Sequence, residues 1–170
     1  GDDRGQRINL RDHALAPMSA AAAQMPTAIA VVGTGMDSGK TQSCAYLVRG
    51  LIAAGLHVGY AKVTGTGAGG DTWLLTDAGA QPVLDFHLAQ AGVDAIVVEI
   101  ADGVLQRETA ALLRSQGFAR LVSGIVMASQ DSMGASAGVS WLQAHASTPV
   151  LALSGVISAA PLQAREASTA

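Results

Sequence analysis

The sequence predicts an α/β fold with a mostly parallel sheet and helices on both of its faces. Apolar stretches of strand length alternate with helix-length segments over residues 28–167, the pattern of a parallel α/β sheet. Hydrophobic residues make up 49% of the chain but aromatic residues only 4%. The core is therefore built mainly from Ala, Val, Leu and Ile, which suits helices packed closely on a buried sheet. A chain of 170 residues is long enough for one compact domain.

The predicted elements follow one another in regular order along the chain. The strands are 28–32, 57–63, 82–86, 95–100, 121–128 and 150–154, and the helices are 40–54, 71–77, 105–116, 135–146 and 161–167. Only eight residues separate Phe86 from Ala95, whereas a parallel crossover needs roughly ten to twelve. Either these two strands are not parallel neighbours, or a segment is absent from the sequence. We favour the second explanation because residues 87–91 look like the last turns of a longer helix.

A glycine-rich turn joins the first strand to the first helix. It reads Gly-Thr-Gly-Met-Asp-Ser-Gly-Lys-Thr over residues 33–41, one residue longer than the common spacing of a phosphate-binding P-loop. In such a loop the backbone N–H groups and a lysine bind phosphates, and a hydroxyl at the helix start binds Mg²⁺. The residues predicted to contact the nucleotide are Gly35, Met36, Asp37, Ser38, Gly39, Lys40, Thr41 and Gln42. The alternative is an ordinary glycine-rich turn followed by a chance Lys-Thr pair.

The position of this loop divides the chain. Residues 1–26 are predicted to be an arm or the tail of a preceding domain. Residues 27–170 are predicted to form a P-loop NTPase-type nucleotide-binding domain, either a whole domain or part of one. The net charge of −3 and the lack of a basic stripe argue against a nucleic-acid partner. No apolar run approaches the ~20 residues that span a bilayer, and no signal peptide is evident. We therefore expect no membrane association and a cytoplasmic location, consistent with the single cysteine, Cys44.

A lysine and an aspartate near the second strand are further candidates. Lys62 lies at the carboxyl end of that strand, where α/β sheets bind their ligands, and it could neutralise phosphate oxygens or a substrate carboxylate. Asp71 follows a glycine-rich stretch and could hold Mg²⁺. The alternatives are a surface lysine whose stem packs on the protein and an aspartate that caps the following helix.

Two acids follow the apolar strand 95–100, and a polar segment follows the strand after it. Glu99 is the preferred metal-binding acid and Asp102 the second choice, because Mg²⁺ needs oxygen ligands opposite the phosphates. An Asp-Gly turn and a helix-capping acid would explain the same residues. Residues 129–136 could bind an anion at a helix start, or could simply cap that helix.

Three motifs together resemble dethiobiotin synthetase and the related cobyrinic acid amide synthases, which are P-loop ATPases. They are the loop at 33–41, Lys-Val-Thr-Gly at 62–65 and Val-Val-Glu at 97–99. The resemblance covers about residues 28–154. The chain departs from the family at 99–103, which reads Glu-Ile-Ala-Asp-Gly, and at Val63, where the family has proline.

The resemblance implies that Lys40 and Lys62 are catalytic residues, that Thr41, Asp71 and Glu99 hold Mg²⁺, and that residues 131–136 form a substrate-side loop. The cofactors would be ATP and Mg²⁺, and the enzyme a homodimer that acts on a small-molecule carboxylate or amino-acid-like substrate. The function it implies is that of an ATP-dependent carbon–nitrogen ligase or small-molecule kinase, which phosphorylates a carboxylate or carbamate for amide or ring formation.

Two alternatives remain open at this point. One is a nucleotide-binding regulatory or accessory module without small-molecule turnover. The other is an accessory protein of molybdenum-cofactor synthesis, for which a preference for GTP would be evidence. The Asn-Lys-x-Asp motif that reads guanine is absent from the sequence, which favours adenine.

Overall fold

The first strand, β1 (Thr27–Gly33), lies at the centre of the sheet. The computed structural model describes residues 25–65, 69–84 and 92–169, and within them the sheet has six strands in the order β3-β2-β4-β1-β5-β6. The other strands are β2 (Val58–Lys62), β3 (Val83–Leu84), β4 (Ala95–Glu99), β5 (Gly124–Ala128) and β6 (Val150–Ser154). Every pair of neighbouring strands is parallel, so the predicted α/β fold is confirmed.

Helices cover both faces of this sheet. They are α1 (Lys40–Ala53), α2 (Gly69–Asp77), α3 (Arg107–Leu113), α4 (Gln116–Leu121), α5 (Ser132–His145) and α6 (Pro161–Thr169). Val31 packs in a buried cluster with residues of α1 and α2, among them Leu75. The next residue, Val32, packs on the opposite face with residues of α3, α4 and α5, among them Phe118 and Leu142. None of the described helices is long and apolar enough to cross a membrane.

The strand register brings the carboxyl ends of the central strands level with one another. Glu99 at the end of β4 is opposite Val31 on one side and Lys62 on the other. Gly33 at the end of β1 is opposite Ala128 at the end of β5. Loops that follow these strands therefore meet at one edge of the sheet, the usual ligand-binding edge of α/β proteins.

The helix predicted over residues 105–116 is present but shorter than predicted, because α3 ends early and a second short helix, α4, follows it. Helix α3 ends at Leu113, and Ser115 begins α4 by accepting a hydrogen bond from the backbone N–H of Phe118 at 3.1 Å. A serine at this position favours a helix start over a helix interior. Because α4 runs to Leu121, β5 begins only at Gly124 instead of at residue 121.

The short connection between the third and fourth strands has a topological explanation. Strand β2 pairs with β3 on one side and with β4 on the other, so the two strands are not neighbours, as the first of the two alternatives proposes. The predicted helical turns at 87–91 and the end of the predicted strand 82–86 lie outside the described residues. The predicted arm also lies outside them, except for residues 25 and 26.

Two glycines allow the loop between β1 and α1 to touch the backbone that follows β6. Gly39 has a φ of +87°, and a β-carbon built on it would lie 3.1 Å from the α-carbon of Gly155. Beside this contact, the backbone N–H of Val156 donates to the carbonyl oxygen of Ser38 at 3.2 Å. Gly155 itself has a φ of +95°. The loop therefore depends on a distant segment of the chain for its shape.

A third glycine supports the start of the same loop. A β-carbon on Gly103 would lie 2.6 Å from the carbonyl oxygen of Thr34, a distance at which the backbone would have to move. The neighbouring N–H of Val104 donates to the carbonyl oxygen of Gly33 at 2.9 Å. The segment after β4 and the loop after β1 are thus packed backbone against backbone.

We predict that Gly39→Ala destabilises the protein by about 1–2 kcal/mol, because an L side chain is strained at this φ and meets the backbone of Gly155. Gly35→Ala is the matched control, since no atom of the described part of the chain lies within 4 Å of a β-carbon built on Gly35. Urea unfolding of both variants measures the difference. Equal unfolding free energies for the two variants would contradict the described loop packing.

Candidate functional site

A cavity of about 560 Å³ opens at the carboxyl ends of β1, β2 and β4, and we call it the main cavity. It is lined by Met36, Asp37, Lys40, Thr41, Lys62, Gly65, Asp71, Glu99, Ala101 and Asp102. All of the residues predicted to act in catalysis or metal binding belong to this lining: Lys40, Thr41, Lys62, Asp71 and Glu99. These side chains come from α1, β2, α2 and β4, so only the folded chain brings them together.

The glycine-rich loop folds around the carbonyl oxygen of Gly35. The ammonium of Lys40 donates to this oxygen at 2.7 Å, and the hydroxyl of Ser38 donates to it at 2.9 Å. Lys40 is only 5% exposed. Burial lowers the pKa of Lys40, although the negative charges of Glu99 and Asp102 oppose this effect. The buried ammonium therefore has one backbone partner that an anionic ligand could replace.

The first turn of α1 leaves its backbone N–H groups available to a ligand. The first N–H groups of an α-helix have no acceptor within the helix. The cap residue, Gly39, has no side chain that could accept from them. Anions bind favourably at such an N-terminus, because both the free N–H groups and the helix dipole attract negative charge.

A buried carboxylate, that of Glu99, lies at the base of the main cavity. It is 2% exposed and is held by donors from two other elements. The hydroxyl of Thr41 donates to its Oε1 at 3.2 Å, and the phenol of Tyr60 donates to its Oε2 at 2.8 Å. Burial and the charge of Glu99 raise the pKa of Tyr60, so the phenol stays protonated and remains the donor.

The side chain of Lys62 lies between two carboxylates. Its Nζ is 2.8 Å from Oδ2 of Asp71 and 3.4 Å from Oε1 of Glu99, and its side chain is 13% exposed. Burial acts to lower the pKa of Lys62, but the hydrogen bond to Asp71 and the charge of Glu99 outweigh it and raise the pKa. Lys62 is therefore a charged, partly buried residue of the cavity, and the alternative of a surface lysine is wrong.

Asp71 belongs to the first turn of α2, because that helix begins at Gly69. The alternative in which Asp71 caps the helix is therefore wrong. Its carboxylate accepts from Lys62 and lines the main cavity. Asp102, the second-choice acid, also lines this cavity and has a φ of +63°, a conformation that is uncommon for a residue other than glycine.

The oxygen donors of the main cavity suit Mg²⁺ in its usual mode of binding. Mg²⁺ is commonly held by one or two carboxylates together with waters and substrate phosphates. Thr41, Asp71 and Glu99 offer one hydroxyl and two carboxylates, all near Lys62. The described residues include no group of three or more His, Cys, Asp or Glu side chains that could hold a metal alone. A metal at this place would therefore depend on a ligand for part of its coordination.

A second cavity, of about 410 Å³, lies on the other side of the loop, and we call it the side cavity. It is lined by Gly39, Gln42, Ser43, Tyr46, Ser154, Gly155, Val156, Ser158 and Ala159. Gln42, which is predicted to contact the nucleotide, therefore faces a different cavity from its neighbour Thr41. Ser43 joins α1 to the end of β6 through a 2.8 Å hydrogen bond between its hydroxyl and that of Ser154.

The segment over residues 129–136 does not line the main cavity. Asp131 caps α5, since its Oδ1 accepts from the backbone N–H of Gly134 at 2.7 Å, as the capping alternative proposes. Ser132, Met133 and Ser136 line a separate cavity of about 460 Å³ together with Glu166. Three of the residues implied to form a substrate-side loop thus line a cavity other than the main cavity.

Sequence reasoning did not identify Tyr60 as a residue of the site. Tyr60 is two residues before Lys62 on β2, and side chains at this spacing share one face of a strand. This spacing between Tyr60 and Lys62 could have identified Tyr60 as a residue near the site. What the sequence does not contain is the register that places Glu99 of β4 opposite Lys62.

Comparison with known proteins shows the fold. No protein-family model matches the chain, and no curated protein matches its sequence. A solved structure of the signal recognition particle receptor FtsY from Elizabethkingia anophelis is similar, with 17% identity and a TM-score of 0.54, over 78% of this chain and 51% of that chain. The same receptor in complex with GDP matches with 16% identity and a TM-score of 0.52, over 79% of this chain and 50% of that chain. The chain thus spans about half the length of these structures, and it has the fold of P-loop NTPases.

Proposed function

We propose that this chain binds a nucleoside triphosphate together with Mg²⁺, with the phosphates on the glycine-rich loop. The observation that carries the proposal is the convergence of Lys40, Thr41, Lys62, Asp71 and Glu99 on the main cavity. Two cations, a free helix N-terminus and oxygen ligands for a hard metal ion are the groups that a metal–triphosphate complex requires.

The state of Lys40 supports this assignment of the phosphates. Its ammonium is buried and has the carbonyl oxygen of Gly35 within hydrogen-bonding distance. A phosphate oxygen carries more negative charge than a carbonyl oxygen, and charge-assisted hydrogen bonds are roughly twice as strong as neutral ones. Exchange of the carbonyl for a phosphate would therefore be favourable for Lys40.

Thr41, Asp71 and Glu99 are the residues that would hold Mg²⁺. When bound, the ion would neutralise charge on the phosphate oxygens. The ammonium of Lys62 lies between both carboxylates and offsets one of their two negative charges, so it would shift away from them when the metal binds. A shifted Lys62 would remain in the main cavity, where its charge could stabilise the phosphoryl group during transfer.

The side cavity is the place that we propose for the nucleobase. Gly39 lines it, and the next residue, Lys40, lines the main cavity, so one ligand could reach from one cavity to the other past the loop. Among the residues that the structure describes, no charged side chain belongs to the lining of the side cavity. Guanine readout by a carboxylate would require one, and we therefore propose ATP as the nucleotide.

The reaction that we propose is MgATP-dependent activation of a small-molecule carboxylate or carbamate, of the dethiobiotin synthetase-like class. A substrate oxygen attacks the γ-phosphorus, and the bond between this phosphorus and the bridging oxygen of ADP breaks. An amine then attacks the activated carbon and releases phosphate, which leaves a new carbon–nitrogen bond. Lys40 and Lys62 would be the catalytic residues, because both line the cavity in which we propose that the transferred group lies. That this protein forms a homodimer stays a prediction. Light scattering of the purified protein tests it.

We predict that MgATP raises the melting temperature of the wild-type protein and that Lys40→Ala weakens ATP binding about 10- to 100-fold, the loss expected for one charge-assisted contact. Calorimetry with ATP, GTP and ADP, each with and without Mg²⁺, measures both effects. Arg49→Ala is the matched control, since it also removes one positive charge from α1 but lies exposed, outside the linings of both cavities. Equal ATP affinity in Lys40→Ala and Arg49→Ala would contradict the proposed phosphate site.

We also predict substrate-dependent release of ADP when small carboxylates, carbamates and amino acids are supplied with MgATP. Lys40→Ala should lower this turnover by orders of magnitude, because a charge that stabilises the transferred group is lost. The measurement is a coupled assay of ADP formation. Tight MgATP binding without turnover on any of these substrates would instead favour the regulatory module, and tight binding of GTP alone would favour the accessory protein of molybdenum-cofactor synthesis.

A third prediction concerns the metal. Lys62→Met removes the cation that Asp71 and Glu99 share, so the negative charge of these two carboxylates in the main cavity would be less compensated. We expect this variant to bind Mn²⁺ without nucleotide at least about tenfold more tightly than the wild type, since like charges held together favour a divalent cation. Electron paramagnetic resonance of free Mn²⁺ measures the affinity, and Lys62→Arg, which keeps the charge, is the control. Unchanged Mn²⁺ affinity in Lys62→Met would show that the two carboxylates do not form one metal site.

A further inference from the structure

We propose that Tyr60 is a positioning residue of the nucleotide site, which fixes the carboxylate of Glu99 so that Oε1 alone is presented to the metal. This inference rests on the proposed function and concerns how one residue of the metal site is held. Tyr60 would touch neither nucleotide nor metal, and it would act through Glu99 only.

The two oxygens of Glu99 have different surroundings. Oε2 accepts from the phenol of Tyr60 at 2.8 Å. Oε1 is 3.2 Å from the hydroxyl of Thr41 and 3.4 Å from the ammonium of Lys62, both of which line the main cavity. The carboxylate is thus oriented with one oxygen toward the protein interior and the other toward the place of the ligand.

The phenol itself is held firmly in place. Tyr60 is 1% exposed and belongs to the buried cluster that includes Val31, Cys44 and Leu75. Its backbone N–H donates to the carbonyl oxygen of Pro82 at 3.1 Å, so the residue is tied to the strand pairing of β2. A donor with so little freedom defines the direction of Oε2 and, through the planar carboxylate, the direction of Oε1.

Loss of the phenolic hydroxyl would leave Oε2 without its donor in a buried environment. The carboxylate would then be free to rotate, with both oxygens competing for Thr41, Lys62 and the neighbouring thiol of Cys44. Hydrogen-bond partners behind a metal ligand commonly change metal affinity by about 10- to 100-fold when they are removed. The metal-dependent part of nucleotide binding should therefore weaken, while contacts between the loop and the phosphates should persist.

The test is a double-mutant cycle with Tyr60→Phe and Glu99→Gln, read by Mn²⁺ binding in the presence of saturating ATP. We expect Tyr60→Phe to weaken Mn²⁺ binding about tenfold and to leave ATP affinity in the absence of metal within about twofold of the wild type. In the Glu99→Gln background the same substitution should have no further effect, because Tyr60 acts through the carboxylate. Thr76→Val, which removes a hydroxyl from the exposed side of α2, controls for general effects of hydroxyl loss.

The outcomes separate this inference from the proposed function. The positioning role would be overturned if Tyr60→Phe bound Mn²⁺ as tightly as the wild type does. It would also be overturned if Tyr60→Phe reduced Mn²⁺ affinity equally in the wild-type and Glu99→Gln backgrounds. Neither result would contradict the proposed nucleotide site. Absence of Mn²⁺ and ATP binding in the wild type would overturn the proposed function and this inference with it. Circular dichroism of each variant checks the fold. If Tyr60→Phe does not fold, the test is ATP-dependent Mn²⁺ binding by Glu99→Asp. The shorter side chain would not reach both Tyr60 and the main cavity, so we expect weaker Mn²⁺ binding. Undiminished Mn²⁺ binding would overturn the positioning role of Tyr60.

Discussion

The buried carboxylate of Glu99 is the constraint on which the site depends. A carboxylate that is 2% exposed is costly unless donors surround it, and its donors come from the start of α1 and from β2. These elements must therefore be aligned with the end of β4 to within hydrogen-bonding distance. The same alignment places Lys62 beside the carboxylate, and Lys62 in turn pairs with Asp71. The balance of charges in the main cavity therefore depends on how the strands of the sheet pair.

Backbone contacts around the glycine-rich loop are the second constraint on the site. Gly39 touches the backbone at Gly155, and Gly103 touches that at Thr34. The loop is thus enclosed by segments that follow β4 and β6, and its shape is imposed by neighbours as much as by its own residues. Preorganised N–H groups lose little entropy when an anion binds, which is how such a loop contributes affinity and electrostatic stabilisation.

The sequence predicted the fold class from local signals, and five residues that it singled out, Lys40, Thr41, Lys62, Asp71 and Glu99, line the main cavity. Lys62 and Glu99 were found since each ends an apolar strand, and parallel strands end at the same edge of a sheet. Tyr60 and Gly155 were missed because their roles depend on strand register and on contacts between distant segments. The helix predicted over 105–116 was too long, because the prediction followed the apolar spacing past the cap at Ser115. The side chains of Gln42 and Thr41, adjacent in sequence, line different cavities because successive residues of a helix point about 100° apart.

The most direct test of the central claim is a crystal structure of the protein with Mg²⁺ and a non-hydrolysable ATP analogue. The account predicts phosphate density on the loop, with the ammonium of Lys40 moved from the carbonyl of Gly35 to a phosphate oxygen. It also predicts Mg²⁺ beside the hydroxyl of Thr41 and Oε1 of Glu99. Phosphates bound outside the main cavity, or Lys40 still bonded to Gly35 with the analogue present, would contradict it.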